Sequence, residues 1–248
     1  MTSSSLLVAG AATFFVAGLV KGVTGMGLPT VAMGLLGALI PPPAAAGLLL
    51  VPSLVTNVWQ LASGPALGSL VRRLWPMMLA IGAATVPGAA LLASGDTRAT
   101  TAALGIVLAA YGGLTLLGRQ LRIPTRAEPW LSPLIGAATG VVTGATGVFV
   151  LPAVPYLQAL GFGRDDLVQA LGLSFTVSTI AIALGLGAHG AIAGADIGLS
   201  ILALAPALAG MWAGQALRDR ISPAAFRRVF LIGLLLLGTE MALRSLLG

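Results

Sequence analysis

The chain has 248 residues, of which 57% are hydrophobic and 8% charged, and its mean hydropathy is +1.02. A soluble domain clothes itself with roughly a quarter charged residues, so this composition excludes an ordinary soluble protein and calls for a surface that faces lipid. There is no cysteine, which excludes disulfides, thiolate metal sites and thiol catalysis. The net charge of +6 reads as anchoring of loops on one membrane face, not as a nucleic-acid surface.

The apolar residues come in blocks, as membrane spans do. Met1–Ser5 has no basic stretch, so Leu6–Leu19 is expected to be a first span and not a cleaved signal. Ten segments follow in order: Ser5–Val20, Leu28–Ile40, Ala44–Leu61, Leu74–Ala93, Thr100–Gly118, Leu131–Val142, Val148–Leu160, Leu167–Leu186, Ile197–Leu217 and Ala224–Leu247. The second, sixth and seventh are short. Leu28–Ile40 has 13 residues, about 20 Å of helix at ~1.5 Å per residue. Half-helices, re-entrant pieces or tilted spans are expected there.

Two Gly/Thr-rich stretches interrupt the blocks, Lys21–Pro29 and Gly140–Pro152. Thr24-Gly25 matches Thr143-Gly144 with an offset of 119, Ser53–Asn57 matches Ser174–Ser178 with 121, and Gly112 matches Gly238 with 126. Such drift is what loop insertions do to a duplicated unit. The expected organisation is therefore two transmembrane repeats, 1–118 and 131–248, joined by a charged cytoplasmic linker, 119–130.

Basic residues choose between topologies. If each short pair of segments counts as two passes, Lys21, Arg72, Arg73, Arg119, Arg122, Arg126, Arg164, Arg218, Arg220, Arg227 and Arg228 fall on one side, and Arg98 and Arg244 on the other. If each pair is one broken span, the arginines split evenly. The positive-inside rule favours the first arrangement. The repeats are then inverted, with both termini outside the cytoplasm, and the fold class is an all-α polytopic bundle with broken helices at the two motifs.

Gly-interrupted short helices at matching places in inverted repeats point to a transporter's substrate site. Unwound backbone survives in a membrane only when buried in protein or lining a wet cavity. Gly25, Gly27, Gly144 and Gly147 permit such breaks. Thr24, Thr143 and Thr146 add hydroxyls, and helix starts near Gly27 and Gly147 would offer N–H groups to an anion. The same glycines also suit plain helix packing, through Gly18-x-x-x-Gly22, Gly136-x-x-x-Gly140 and Gly140-x-x-x-Gly144.

Lys21, the only lysine, has two open readings: an intramembrane functional group, or a lysine snorkelling to the headgroups. Ser53, Asn57 and Gln60 share a helical face, matched by Ser174 and Ser178; Asn57 and Ser174 are carried as site candidates. The acidic residues Glu128, Asp165, Asp166, Asp196 and Asp219 fall in or beside loops, Asp96 shares a turn with Arg98, and Glu240 has Arg244 at i+4. With no carboxylate clearly mid-membrane, a cation exporter is disfavoured.

An enzyme reading is weak. Gly172-Leu-Ser174-Phe resembles the core of intramembrane serine proteases, but nothing places His189 beside Ser174. The nucleotide-binding loop signature is absent. Nothing in the sequence asks for a cofactor or metal.

The run Gly18-Leu-Val-Lys-Gly22-Val-Thr-Gly25-Met-Gly27-Leu28-Pro29, with its echo Gly136-Ala-Ala-Thr-Gly140-Val-Val-Thr-Gly144, resembles the sulfite exporter TauE/SafE family over nearly the whole chain. Leu151-Pro152 before Tyr156-Leu-Gln-Ala-Leu-Gly161 adds to the likeness. The resemblance implies a bacterial inner-membrane permease built from a duplicated four-span unit, carrying sulfite, sulfonates, thiosulfate or related organic anions. The four-span unit conflicts with the odd parity drawn from the charges. The expected partners are a small anion, the lipid bilayer and a proton or sodium ion as coupling ion; an oligomer is compatible and nucleic acid is not.

Overall fold

The computed structural model describes residues 3–118, 122–192, 194–218 and 220–247. These residues form ten helices: α1 Ser3–Thr24, α2 Leu28–Gly37, α3 Pro42–Ala62, α4 Leu67–Ala93, α5 Thr97–Leu117, α6 Glu128–Thr146, α7 Ala153–Ala159, α8 Arg164–Ala188, α9 Gly194–Arg218 and α10 Pro223–Leu247. Seven of them (α1, α3, α4, α5, α8, α9 and α10) are long and apolar enough to cross a membrane. The chain is an all-helical multi-pass membrane protein. Arg119 and Asp219, placed in loops above, lie outside the described residues.

The sixth segment differs from its expected length. It is not a short piece over Leu131–Val142 but a 19-residue helix that runs on through Gly140 and Gly144 to Thr146. Glycine and threonine do not break it, because α4 packs directly against its glycines. A Cβ on Gly136, Gly140 or Gly144 would lie 2.4–2.6 Å from Met77 O, Ile81 O or Gly88 C of α4. The unwound stretches are correspondingly narrower than Lys21–Pro29 and Gly140–Pro152 suggest. They cover Gly25–Gly27 and Gly147–Pro152.

The α1–α9 pair is built in the same way. A Cβ on Gly18 would stand 2.0 Å from Ala207 O, and one on Gly22 would stand 2.2 Å from Met211 O. In return, Gly210 and Gly214 of α9 meet Phe15 O and Leu19 O. Contacts advance together along both chains, so α1 runs parallel to α9, and α4 parallel to α6. Small residues let these backbones touch where lipid offers no hydrophobic drive to associate.

Two other pairs run antiparallel. Gly105 of α5 faces Gly238 and Ala242 of α10, whereas Gly112 faces Leu231 and Leu235. On α3 and α8, Asn57 bonds Thr179, Gly172 lies against Gln60 and Leu61, and Gln169 bonds the carbonyls of Leu61 and Gly64. An eight-pass chain, with α1–α2 and α6–α7 each forming one broken span, would make both pairs parallel. The observed directions are those of the ten-pass parity.

The short helices return beside the helices before them. Leu36–Ile40 at the end of α2 share a groove with Leu7–Phe14 at the start of α1. Arg73 ties the start of α6 to the end of α7, through Glu128 Oε1 and Oε2 at 2.6 and 2.8 Å and Leu160 O at 3.3 Å, with Phe162 under its guanidinium at 4.5 Å. At the other end of the bundle, Arg98 donates to Ser245 O and Leu246 O of α10. The six most extensive helix pairings are unchanged when α1–α5 are exchanged for α6–α10: α1 on α9 and α6 on α4, α4 on α8 and α9 on α3, with α3–α8 and α5–α10 mapping onto themselves.

Proline inside a helix frees a carbonyl, and α3 contains Pro52. The carbonyl it frees, Leu48 O, accepts from Ser200 Oγ of α9 at 2.7 Å, and Ser200 Oγ in turn accepts from Val51 N at 3.0 Å. One hydroxyl thus repairs both sides of the gap. Ser200→Ala is expected to destabilise the detergent-solubilised protein by about 1–3 kcal/mol, the cost of buried backbone groups left unpaired, whereas Gly10→Ala, where a Cβ meets nothing within 4 Å, is expected to be neutral. Thermal unfolding of the two variants makes the comparison.

Candidate functional site

The two breaks share one local geometry. At the first, Thr24 Oγ1 donates to Val20 O (2.8 Å) and lies within hydrogen-bond distance of Met26 O (2.8 Å), and it accepts from Met26 N (3.3 Å). Gly25 N donates to Lys21 O, and Gly25 has φ 78°. At the second, Thr146 Oγ1 donates to Val142 O (2.7 Å) and accepts from Val148 N (3.3 Å); Gly147 N donates to Thr143 O, and Gly147 has φ 71°. Thr146-Gly147 therefore occupies the place of Thr24-Gly25, an offset of 122 in place of the 119 drawn from letters alone. Under that register Gly18 and Gly22 fall on Gly140 and Gly144, the glycines that serve the two parallel seams.

The sequence candidates separate by what their atoms already do. Gly144 packs on Gly88 and Ala89 of α4. Gly25, Gly27 (φ 101°) and Gly147 hold backbone that L side chains rarely adopt. The hydroxyl hydrogens of Thr24 and Thr146 go to carbonyls one turn back, which closes the helix ends. Thr143, fully buried, reaches Val148 O at 3.4 Å. The first break leads directly into the N-terminus of α2. The second runs through buried Val148–Val150 before α7, a helix of only 7 residues that starts at Ala153 and not near Gly147.

Lys21 and Asn57 are brought together. The 122-residue register puts Thr143 where Lys21 stands in the first half. Lys21 is 4% exposed, and its ammonium donates to Thr56 Oγ1 at 3.1 Å and to Asn57 Oδ1. It does not snorkel to the surface. Asn57 Nδ2 donates on to Thr179 Oγ1 of α8 at 3.3 Å, so the cluster bridges α1, α3 and α8. Every partner is neutral. Among the described residues the ion pairs are Arg73–Glu128 and Arg244–Glu240, and Lys21 is the one charged side chain in the buried set.

Thr56 and Thr179 did not stand out as site residues, since buried threonines in helices usually bond their own backbone. Both do, to Pro52 O and Phe175 O. The register of 122 would have found Thr179, because it pairs that residue with Asn57. Nearby on the same two helices, the buried hydroxyls of Ser53, Ser174 and Ser178 have no partner, nor does Thr30 in the first turn of α2. Ser174 lies fifteen residues from His189 on α8, roughly 22 Å along a helix. His189 Nδ1 sits on Gly185 O, so the two form no catalytic pair.

A helical bundle whose interior holds one unpaired ammonium, unwound glycine turns and orphaned hydroxyls has the parts of a membrane transporter. A family model described as Sulfite exporter TauE/SafE matches residues 10–241. The chain belongs to that family and is a member of a membrane transporter family. No individual curated protein and no solved structure matches it in addition.

Removing Asn57 strips a buried ammonium of an acceptor, so Asn57→Leu is expected to destabilise the protein by about 1.5–3 kcal/mol. In the Lys21→Met background the same change should cost much less. A double-mutant cycle on thermal or denaturant unfolding measures the coupling; no coupling would mean that the contact carries no energy.

Proposed function

We propose that the chain is a secondary transporter of a small anion, a sulfur oxyanion or an organic sulfonate or carboxylate, in the inner membrane of a bacterium. The carrying observation is Lys21. A buried charge is strongly unfavourable unless paired, and the protein supplies this one with neutral partners only. A substrate anion is the missing counter-charge. The orphaned hydroxyls of Ser53, Ser174, Ser178 and Thr30, and the glycine turns at Gly25–Gly27 and Gly147, form the surroundings in which it would be held. Thr24, Thr143, Thr146 and Gly144 then act as supports of the turns and seams, one step back from the anion.

Movement would come from two inverted repeats, 1–118 and 131–248, rocking against each other about the α3–α8 and α5–α10 contacts. Three observations support this: the exchange-invariant helix pairing, the reproduced hydrogen bonding of Thr24 and Thr146, and the antiparallel directions of the two self-paired contacts. With ten passes and the basic residues inside, linker 119–130 is cytoplasmic and both termini are outside.

Flux into proteoliposomes, measured with sulfite, organic sulfonates and carboxylates, tests the activity. Wild type is expected to move at least one of them, and Lys21→Gln to slow it by about tenfold or more, the effect of losing one buried charge-assisted contact. No flux of any anion would overturn the reading. The topology has a separate test, since the chain has no cysteine of its own: single cysteines at Arg72 and Arg122 are expected to label from the cytoplasmic face alone, and labelling from opposite faces would end the inverted-repeat proposal.

A further inference from the structure

We infer that the Lys21 site selects monoanions: it takes a ligand whose head carries one negative charge, of the sulfonate or monocarboxylate kind, and turns away dianions of similar size such as sulfate. The inference rests on the transport reading above and concerns which anions it admits.

An ammonium has three N–H donors. Lys21 uses two, on Thr56 Oγ1 and Asn57 Oδ1, which leaves one for a ligand. The amide of Asn57 has two N–H donors, and one of them goes to Thr179 Oγ1. The second has no protein partner, so two hydrogen-bonded neighbours each keep one N–H for a ligand, one charged and one neutral. The hydroxyls of Thr56 and Thr179 already donate to Pro52 O and Phe175 O. They hold the pair in place and accept from it, but offer nothing to an anion.

What the site lacks decides its selectivity. No second charged side chain is buried among the described residues. The Lys21 position of the second half is taken by Thr143, which is neutral. Arg73 is engaged by Glu128 and Leu160 at one end of the bundle, and Arg98 by the end of α10 at the other. The orphaned hydroxyls of Ser53, Ser174 and Ser178 can solvate an oxygen atom but cannot neutralise it. A monoanion makes an ion pair with Lys21 and leaves no net charge. A dianion of the same size leaves one negative charge in a low-dielectric interior, at a cost that neutral donors do not offset.

Methanesulfonate and sulfate provide the comparison, because both have fixed charge near neutral pH and nearly the same tetrahedral shape. In proteoliposomes of the full chain, wild type is expected to take up methanesulfonate at least about tenfold faster than sulfate at equal concentration. Lys21→Arg, which keeps the charge, should retain the order of preference; Lys21→Met should lose methanesulfonate uptake while eluting as a folded, monodisperse species. Sulfate moving as fast as methanesulfonate through wild type would overturn the inference and leave transport standing. Methanesulfonate preference that survives intact in Lys21→Met would overturn it as well. If neither anion moves, nor any other in the panel, the transport reading itself falls and this inference with it.

Discussion

Within hydrocarbon no water is available to a stray N–H or C=O, so each departure from a continuous helix must be met by a protein atom. The bundle is arranged around that constraint. At Pro52 the gap in α3 is filled from outside, by Ser200 of α9, which serves Leu48 O and Val51 N together. At Thr24 and Thr146 the repair is local, with a hydroxyl closing the last turn backwards and receiving an N–H from two residues ahead. Glycine in left-handed geometry then turns the chain. The breaks are thus finished structures, with their polar groups mostly spent on themselves.

The same constraint explains where the glycines of the seams stand. A parallel helix pair in lipid gains from contact only if its backbones come close. Gly18 and Gly22 bring α1 onto α9, and Gly140 and Gly144 bring α6 onto α4. Each seam fixes the helix that leads into a break, and so fixes the depth of the turn that follows. Between the seams, α3 and α8 cross antiparallel with their polar residues facing inward, where Asn57 meets Thr179 and Lys21 arrives from α1. Rigid packing at the periphery thereby encloses a set of polar groups, among which the hydroxyls of Ser53, Ser174 and Ser178 have no protein partner.

Much of the architecture was legible in the residues. Ten apolar blocks became ten helices, since long apolar runs have few alternatives in a membrane. The uneven placement of arginine selected a parity that the antiparallel α3–α8 and α5–α10 pairs share, because charge resists translocation whatever the helices do inside. The sixth segment was misread for a physical reason: Gly136, Gly140 and Gly144 look like interruptions until α4 is seen to lie against them. The register between the halves was misread for another. In the second half Thr-Gly occurs at Thr139, Thr143 and Thr146, and only the hydrogen bonds distinguish the one that ends a helix. Lys21 and Asn57 were each singled out from the sequence, but their pairing was not legible, for the partners of Lys21 lie about 35 residues away on α3 and are chosen by how α1 packs.

The difference between the halves carries as much meaning as their likeness. The largest helix pairings, the seam glycines and the hydrogen bonds that end α1 and α6 correspond, yet Thr143 stands at the position that matches Lys21. A second lysine at Thr143 would bury another cation in the same bundle, where like charges repel across low dielectric and neither has a carboxylate. A single ammonium is made tolerable by Thr56 and Asn57, and on the proposed reading a bound anion would leave no net charge beside it. On that reading the cost of the empty state would be the source of affinity for the filled one, and the charge behind it would come from one half of the chain alone.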